Sequence, residues 1–332
     1  METDEIINYL YNEYYLKDRT PPELVSSFWK YYQNQQKVQI KDGKVEALIA
    51  TPPLGGLDIK SPVHRFLSWL TIGSYLWKLA DKKGICSLVK TSLRVTKRMG
   101  LFFTYECFRQ MCSLVLIRRH LKKRKRINVI IIGDGYGFFS SLIKEIYPDS
   151  RILLVDLGWV LLFQTYYCAK AHPDAEHYLV TPSAKLVQNQ LDYDFIYCPA
   201  ENLNLVDSLS FDLAINTISM QEMNKETIEF YFNYLRQNMA SQNLFYCCNR
   251  EKKELPSGDG VEFLKYLWSE NDVHLVDEYS PWHTHFVSLH TLKNGPKLLN
   301  FRIPFINYFD GPHRHRLSKL YTERRTVREQ AR

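Results

Sequence analysis

The sequence predicts an α/β fold: a mostly parallel sheet covered by helices on both faces, closed by an antiparallel pair and preceded by an all-helical region. Three observations predict it. From residue 127 onward, short apolar runs rich in β-branched residues alternate with amphipathic runs, the texture of a buried parallel sheet. Near the end, two strand-like runs, 273 to 280 and 285 to 294, are separated only by "PWHT", too short for a helical crossover, so they must be antiparallel. Before residue 125, apolar residues recur at three and four, with no two-residue alternation.

The elements follow in order. Ile6, Ile7, Leu10, Tyr11 and Tyr14 mark a first helix within 4 to 36. Thr20, ahead of Pro21 and with Glu23 third after it, predicts a cap, and "VSSFWKYYQNQ" a second helix. Residues 41 to 62 read as loop, with "TPPLGG" at 51 to 56. "HRFLSWLTIGSYLWKLADKKG" reads as one helix stopped near Gly84, and 102 to 121 as another. The sheet then runs through "NVIIIG", "RILLVDL" at 151 to 157, "DYDFIYCP" at 192 to 199, "FDLAINTISM" at 211 to 220 and "NLFYCCNR" at 243 to 250. Helices are expected at 224 to 239 and in "GVEFLKYLWSE". This divides the chain into a helical region, 1–124, that caps the site or builds a homo-oligomer contact; a ligand-binding domain, 125–312; and a basic tail, 313–332.

Composition narrows the function. The 332 residues carry 43 basic and 36 acidic side chains, a net charge of +7, which does not single out a nucleic-acid partner. Seven cysteines, an odd number without a CxxC pair, read as reduced, buried thiols in a cytoplasmic protein, with no zinc site. No apolar run approaches the roughly 18 residues of a membrane span. Aromatics, 14% of the chain, suit a core and also line pockets for sugars. "RRHLKKRKR" at 118 to 126 and the basic tail are either solvated ends or a surface for an anionic acceptor, a lipid-linked sugar or a membrane.

The stretch "GDGYG", 133 to 137, breaks the first strand. A Walker-type loop needs Lys and Ser/Thr after its last glycine; Phe138 and Phe139 stand there. A dinucleotide fingerprint needs a third glycine where Phe138 stands. What remains is G-x-G-x-G: Gly133, Gly135 and Gly137, with Asp134 and Tyr136 between. A ligand across a strand tip touches main chain that a Cβ would block, and the next helix offers N–H groups to a carboxylate. Asp156 lies 19 positions past Gly137 (156 − 137), where an acid at the second strand tip can accept both ribose hydroxyls.

Loop, acid and terminal pair together resemble the class I S-adenosylmethionine-dependent methyltransferases, whose sheet is Rossmann-like and seven-stranded. Within them, "VDLGWVLLFQTYYCAKAHPD" resembles the "DLPE…L.QYYL…PD" pattern of bacterial sugar O-methyltransferases, "FDLAINTISMQEM" their "D.v.N..SM.EM" segment and "NLFYCCNR" their "lFYs.NR". The resemblance is best over 127 to 250. It implies methyl transfer from S-adenosylmethionine to a saccharide hydroxyl, often in polysaccharide biosynthesis, with S-adenosylhomocysteine as product. Two departures stand out. The family's acid two positions before the first glycine is Ile131 here, and Asp134 stands inside the loop instead; the proline after its strand-two acid and leucine is Gly158.

In such a fold, donor and acceptor meet at the carboxyl ends of the strands. Leu157 follows the ribose acid; Pro199, Ala200 and Glu201 would flank the adenine, and Asn216 and Thr217 the donor. A general base helps a poor hydroxyl nucleophile by roughly 10²–10⁴-fold. Glu222 fits as base or hydroxyl anchor, or as a helix N-terminal acid. Ser219 and Gln221 stand beside it. Asn249 and Arg250 either bind sugar hydroxyls or an anionic substituent, or form a surface turn. In "SPWHTH", Trp282 offers a sugar platform and His283 and His285 a base, against structural roles for all three. His313 and His315 raise a metal, but alternation along a strand is not closed-site spacing, and none is expected. Arg109 either reaches the donor carboxylate or lies on a solvated face. A nucleic-acid substrate is disfavoured because "NTISM" stands where "NPPY" would. The competing readings are a non-catalytic scaffold keeping the fold and a methyltransferase for another small-molecule hydroxyl.

Overall fold

The computed structural model describes residues 2–33, 37–41, 44–49, 61–121, 126–183, 193–287 and 294–322. The chain begins with α1 (Thr3–Leu10), which buries Ile6, Ile7 and Leu10 and widens into a π-helical turn over Tyr11–Leu16. Thr20 caps nothing: its hydroxyl is buried without a hydrogen bond, and only a 3-10 turn, Pro22–Leu24, follows. After α2 (Ser27–Gln33) comes a finding that corrects the all-helical expectation. β1 (Lys37–Lys41) and β2 (Lys44–Ile49) form an antiparallel hairpin. It was hidden because β1 alternates only weakly and stays largely exposed. "TPPLGG" lies outside the described residues.

The expected single helix is α3 (Pro62–Ser68) and α4 (Ser74–Leu79), joined by a wide turn over Trp69–Gly73. Gly84 stops neither. It sits in the first turn of α5 (Lys82–Met99), where its N–H is accepted by the N-cap, Asp81. α5 ends at Gly100 with φ 72°, the left-handed C-cap that glycine supplies freely. α6 (Tyr105–His120) leads toward the sheet and is buried along most of its length, Arg109 included.

From there the alternation appears: β3 (Asn128–Ile132), α7 (Phe138–Ile146), β4 (Arg151–Asp156), α8 (Gly158–Ala171), β5 (His177–Leu179), β6 (Phe195–Pro199), β7 (Phe211–Thr217), α9 (Lys225–Asn238) and β8 (Met239–Arg250). β5 is an edge strand with no counterpart in the sequence reading, three residues long. The helix expected in "GVEFLKYLWSE" is instead a hairpin, β9 (Lys252–Glu254) with β10 (Gly260–Glu262), followed by one 3-10 turn. β11 (Val273–Tyr279), β12 (His285–Val287), β13 (Lys297–Leu298), β14 (Phe301–Arg302), β15 (Ile306–Tyr308) and β16 (His313–Lys319) complete the chain. Residues 288–293 of the expected last strand lie outside the described residues.

The central sheet has eight strands in the order β11-β16-β8-β7-β3-β4-β6-β5. β5 through β8 run parallel, and β16 is antiparallel to both β8 and β11. The sheet is buried on both faces. Val129 and Ile131 join the α5–α8 core, while Ile130 and Ile132 join the core under α9.

The antiparallel closure exists, but its partners correct the sequence reading. β11 pairs with β16, Tyr279 opposite Arg314, and β12 leaves the sheet to pair with β15, His285 opposite Tyr308. Residues 313–319 are therefore a central strand, not a tail. "HRHRLSK" looks like a tail because it is basic. Its charges are neutralised across the ladder, where Asp277 accepts from Arg314 and Arg316 at 2.6 Å each.

Candidate functional site

The carboxyl ends of β4, β3, β7 and β8 open into one cleft with about 1000 Å³ of empty space, open solvent included. At its first end lie Gly133, Asp134, Gly135 and Tyr136 after β3, with Asp156 at the tip of β4. Thr217, Ile218, Ser219, Gln221 and Glu222 after β7 form the middle. Arg250 at the end of β8, with Phe309 and His313, makes the second end. α6 adds Tyr105, Glu106, Arg109 and Gln110; Trp29, Phe138 and Val160 also line it.

The glycine loop has the expected bare backbone, for reasons that are partly internal. Gly133, Gly135 and Gly137 all have left-handed φ, 77°, 59° and 76°. A Cβ on Gly133 would also lie 1.9 Å from Ser219 Oγ, and one on Gly137 2.6 Å from Cys168 Sγ. Gly133 and Gly135 line the cleft, while Gly137 packs against α8.

Asp134 is not free for a ligand. Its carboxylate accepts the N–H groups of Phe139 (3.2 Å) and Ser140 (2.8 Å), closing the first turn of α7. Burial pushes its pKa up to about 7 against these bonds. Ile131 lies wholly in the core between β4 and β7 and cannot substitute for an acid. Asp156 stands where the spacing placed it, partly exposed at the cleft. It accepts from the Leu157 N–H (2.9 Å) and Gln164 Nε2 (2.7 Å), and burial raises its pKa to about 7.

Four expected cofactor contacts, Leu157 after the ribose acid and Pro199, Ala200 and Glu201 beside the adenine, do not line the cleft. Tyr14 from the N-terminal helix covers that side: a Cβ on Gly158 would lie 2.1 Å from its ring. Its phenol is coupled to Glu201, whose carboxyl is raised by burial. Gly158, with no Cβ, thus makes room for Tyr14.

Asn216 and Asn249 are likewise structural. Both are fully buried, and Asn249 Nδ2 donates to Asn216 Oδ1 (2.8 Å). Asn216 Nδ2 donates to the Ile132 carbonyl, and its Oδ1 accepts the Met220 N–H; Asn249 Oδ1 accepts the Gln221 N–H. Gln221 Oε1 in turn accepts the Arg250 N–H (2.7 Å). This network holds Ile218, a β-branched residue at φ 59°, at the cleft. Such a backbone persists only where its surroundings over-determine it.

Glu222 lines the cleft and pairs with Lys253 at 2.9 Å. Burial raises its pKa, with Lys253 opposing. The "PWH" residues move elsewhere. Trp282 is buried, donates to Ser113 Oγ (3.0 Å) and packs on His315, so it offers no sugar platform. His283 is buried, with Nδ1 shared between Ser280 Oγ (2.8 Å) and Cys248 Sγ (3.4 Å). His285 sits on β12. Neither lines the cleft, and burial, reinforced by Arg109, lowers both pKa values, that of His285 to about 4. The histidine at the cleft is His313, stacked near His283, with its pKa held well below the usual range by burial.

Sequence reasoning missed Glu106, Gln110 and Trp29, and set Arg109 aside. α6 shows almost no amphipathic stripe because it is buried all round, so no periodicity marked the face that meets the cleft.

No family model matches the sequence, and no curated protein matches it. Among solved structures the chain is similar to coclaurine N-methyltransferase bound to N-methylheliamine and SAH, at 11% identity and TM-score 0.36, covering 54% of this chain and 51% of that one. It is also similar to the cyclopropane synthase MmaA2 from Mycobacterium tuberculosis, at 11% identity and TM-score 0.32, covering 43% of each chain. TehB from Haemophilus influenzae is similar at 10% identity and TM-score 0.39, covering 62% and 61%. The match thus spans about half the length of the first and less than half of the second. The α/β fold with a mostly parallel central sheet is this chain's own, read from its strand order.

Proposed function

We propose that the protein transfers a methyl group from S-adenosylmethionine to a hydroxyl of a sugar or surface-glycan precursor. One observation carries the reading: the left-handed Gly133 and Gly135 after β3 share a cleft with the Asp156 carboxylate at the tip of β4. The residues fit the donor. Asp156 keeps lone pairs for ribose hydroxyls, and the glycine backbone leaves room beside it. Because Ile131 is in the core and Asp134 is spent on α7, we assign the missing acid to Glu106, which lines the cleft and whose charge reaches Asp134.

When bound, the donor supplies an electrophilic methyl on a sulfonium. The chain's own task is to orient the acceptor hydroxyl and exclude water. Glu222 is the group we assign to take the hydroxyl proton: burial raises its pKa, which strengthens a carboxylate base, and Lys253 holds it in place. The likeness of 211–250 to sugar O-methyltransferases favours a saccharide hydroxyl. No helix among the described residues is long and apolar enough to cross a membrane. Residues 122–125 and 323–332, about half of the two basic runs, lie outside the described residues; a lipid-linked acceptor or a membrane surface remains the proposed partner of these runs.

Calorimetry with S-adenosylhomocysteine tests the donor half. Saturable binding, lost in Asp156→Ala, is expected; no binding to the unaltered chain removes the reading. A transfer assay over nucleotide sugars and surface glycans tests the acceptor half. Donor binding without transfer to any of them would sink the sugar assignment alone.

A further inference from the structure

The second end of the cleft carries cationic N–H groups that no described residue accepts. Arg109 is only 3% exposed. Its Nη2 pairs with Glu106, but Nε and Nη1 are buried with no acceptor among the described residues. Its guanidinium lies 4.6 Å from the Tyr105 ring and 5.0 Å from the Phe309 ring, which hold it in the cleft. Arg250 Nε is also buried without an acceptor. Among the described residues its ion pair is loose, 3.8 Å to Asp310, a fully exposed side chain. A buried charged donor without an acceptor is costly, so two residues that line one cleft and carry such donors call for a ligand.

The acidic groups of the cleft are already engaged. Glu106 accepts from Arg109 and Gln110, Glu222 from Lys253, and Asp134 from the α7 backbone. Asp156 belongs to the other end. Arg109 also reaches the second end, where its guanidinium lies over the ring of Phe309. The guanidinium fork matches the geometry of a carboxylate or phosphate, which it can bind through two parallel N–H groups.

We propose that Arg109 and Arg250 seat an oxyanion carried by the acceptor, a carboxylate or a phosphate, so that the substrate is an acidic or phosphorylated saccharide. This rests on the methyltransferase reading of the cleft. The seat places the substrate by its charge and leaves the neutral hydroxyl to Glu222. A neutral sugar would offer these N–H groups only uncharged acceptors and bind more weakly.

The test titrates the full chain with glucose 1-phosphate, glucuronate and glucose, with and without S-adenosylhomocysteine. One of the two anions is expected to bind at least tenfold more tightly than glucose, and which one does distinguishes phosphate from carboxylate. Arg250→Gln should weaken that anion at least tenfold and leave S-adenosylhomocysteine within about twofold. Arg109→Gln should weaken the anion similarly; should that variant not fold, Arg250→Gln decides alone. Equal binding of glucose, no binding of either anion, or anion affinity untouched by Arg250→Gln overturns the proposal. So does an Arg109→Gln variant that loses S-adenosylhomocysteine but not methylthioadenosine, which lacks the carboxylate, while keeping the anion. Failure of the donor reading shows separately, as no S-adenosylhomocysteine binding to the unaltered chain.

Discussion

The two ends of the cleft are built differently. The end at β3 and β4 comes from 24 consecutive positions, Gly133 to Asp156 (156 − 133 + 1), and its parts are fixed by local backbone: a strand tip, left-handed glycines and a short helix. The end at β8 and β16 gathers Arg109, Arg250, Phe309 and His313 from segments more than 200 positions apart (313 − 109 = 204). A local site is specified by residue type and spacing. A site gathered from afar is specified by packing, and its residues look ordinary in sequence.

The largest test of this contrast is removal of residues 313–332. As a tail they would be dispensable; as β16 they join β8 to β11, so the shortened chain should fail to fold, seen as loss of the cooperative melting transition. An unchanged melt would restore the tail reading and dissolve the second end. Next, Asp156→Ala should weaken S-adenosylhomocysteine binding by about 100-fold, the scale of two charge-assisted hydrogen bonds. A similar loss in Arg250→Gln would mean the two ends are not separate in function.

Gly133→Ala sharpens the local end. Its Cβ would clash with Ser219 Oγ at 1.9 Å in a left-handed backbone, costing about 1–3 kcal/mol or more by denaturant unfolding. Gly133→Ala with Ser219→Gly should recover part of that loss, because only the φ strain remains. The smallest effect is on pH. Ribose hydroxyls favour the ionised form of Asp156, whose pKa is raised to about 7, so S-adenosylhomocysteine should bind several-fold more tightly at pH 8 than at pH 6. The ligand-free protein should show the opposite slope in stability. Asp134 and Asp156 hold protons in the folded state that the unfolded chain has released, so stability falls as pH rises from about 4 through 7. Asp156→Asn should flatten both trends.

The sheet was legible wherever strands were apolar on both faces. β3, β4, β6, β7 and β8 stand out as buried runs, and their order follows from alternation with helices. β5 was missed because three residues carry no period, and β16 because its burial depends on Asp277 and Glu278 across the ladder. In the site, Gly133, Gly135 and Asp156 line the cleft, as a strand-tip position implies. The sequence alone puts Trp282, His283 and His285 near the cleft because it pairs the strands on either side of "PWHT", whereas β12 turns away to pair with β15.

What the sequence determined by itself is the repeating strand–helix order and the bare loop facing an acid, because these depend on local period and on φ. Only the tertiary structure decided that Asp134 closes a helix, that Tyr14 fills the space over Gly158, and that Arg109 and Arg250 line one cleft with buried N–H groups that have no acceptor among the described residues. Each of those depends on which distant atom satisfies a buried polar group or fills a gap, and one-dimensional spacing carries no such term.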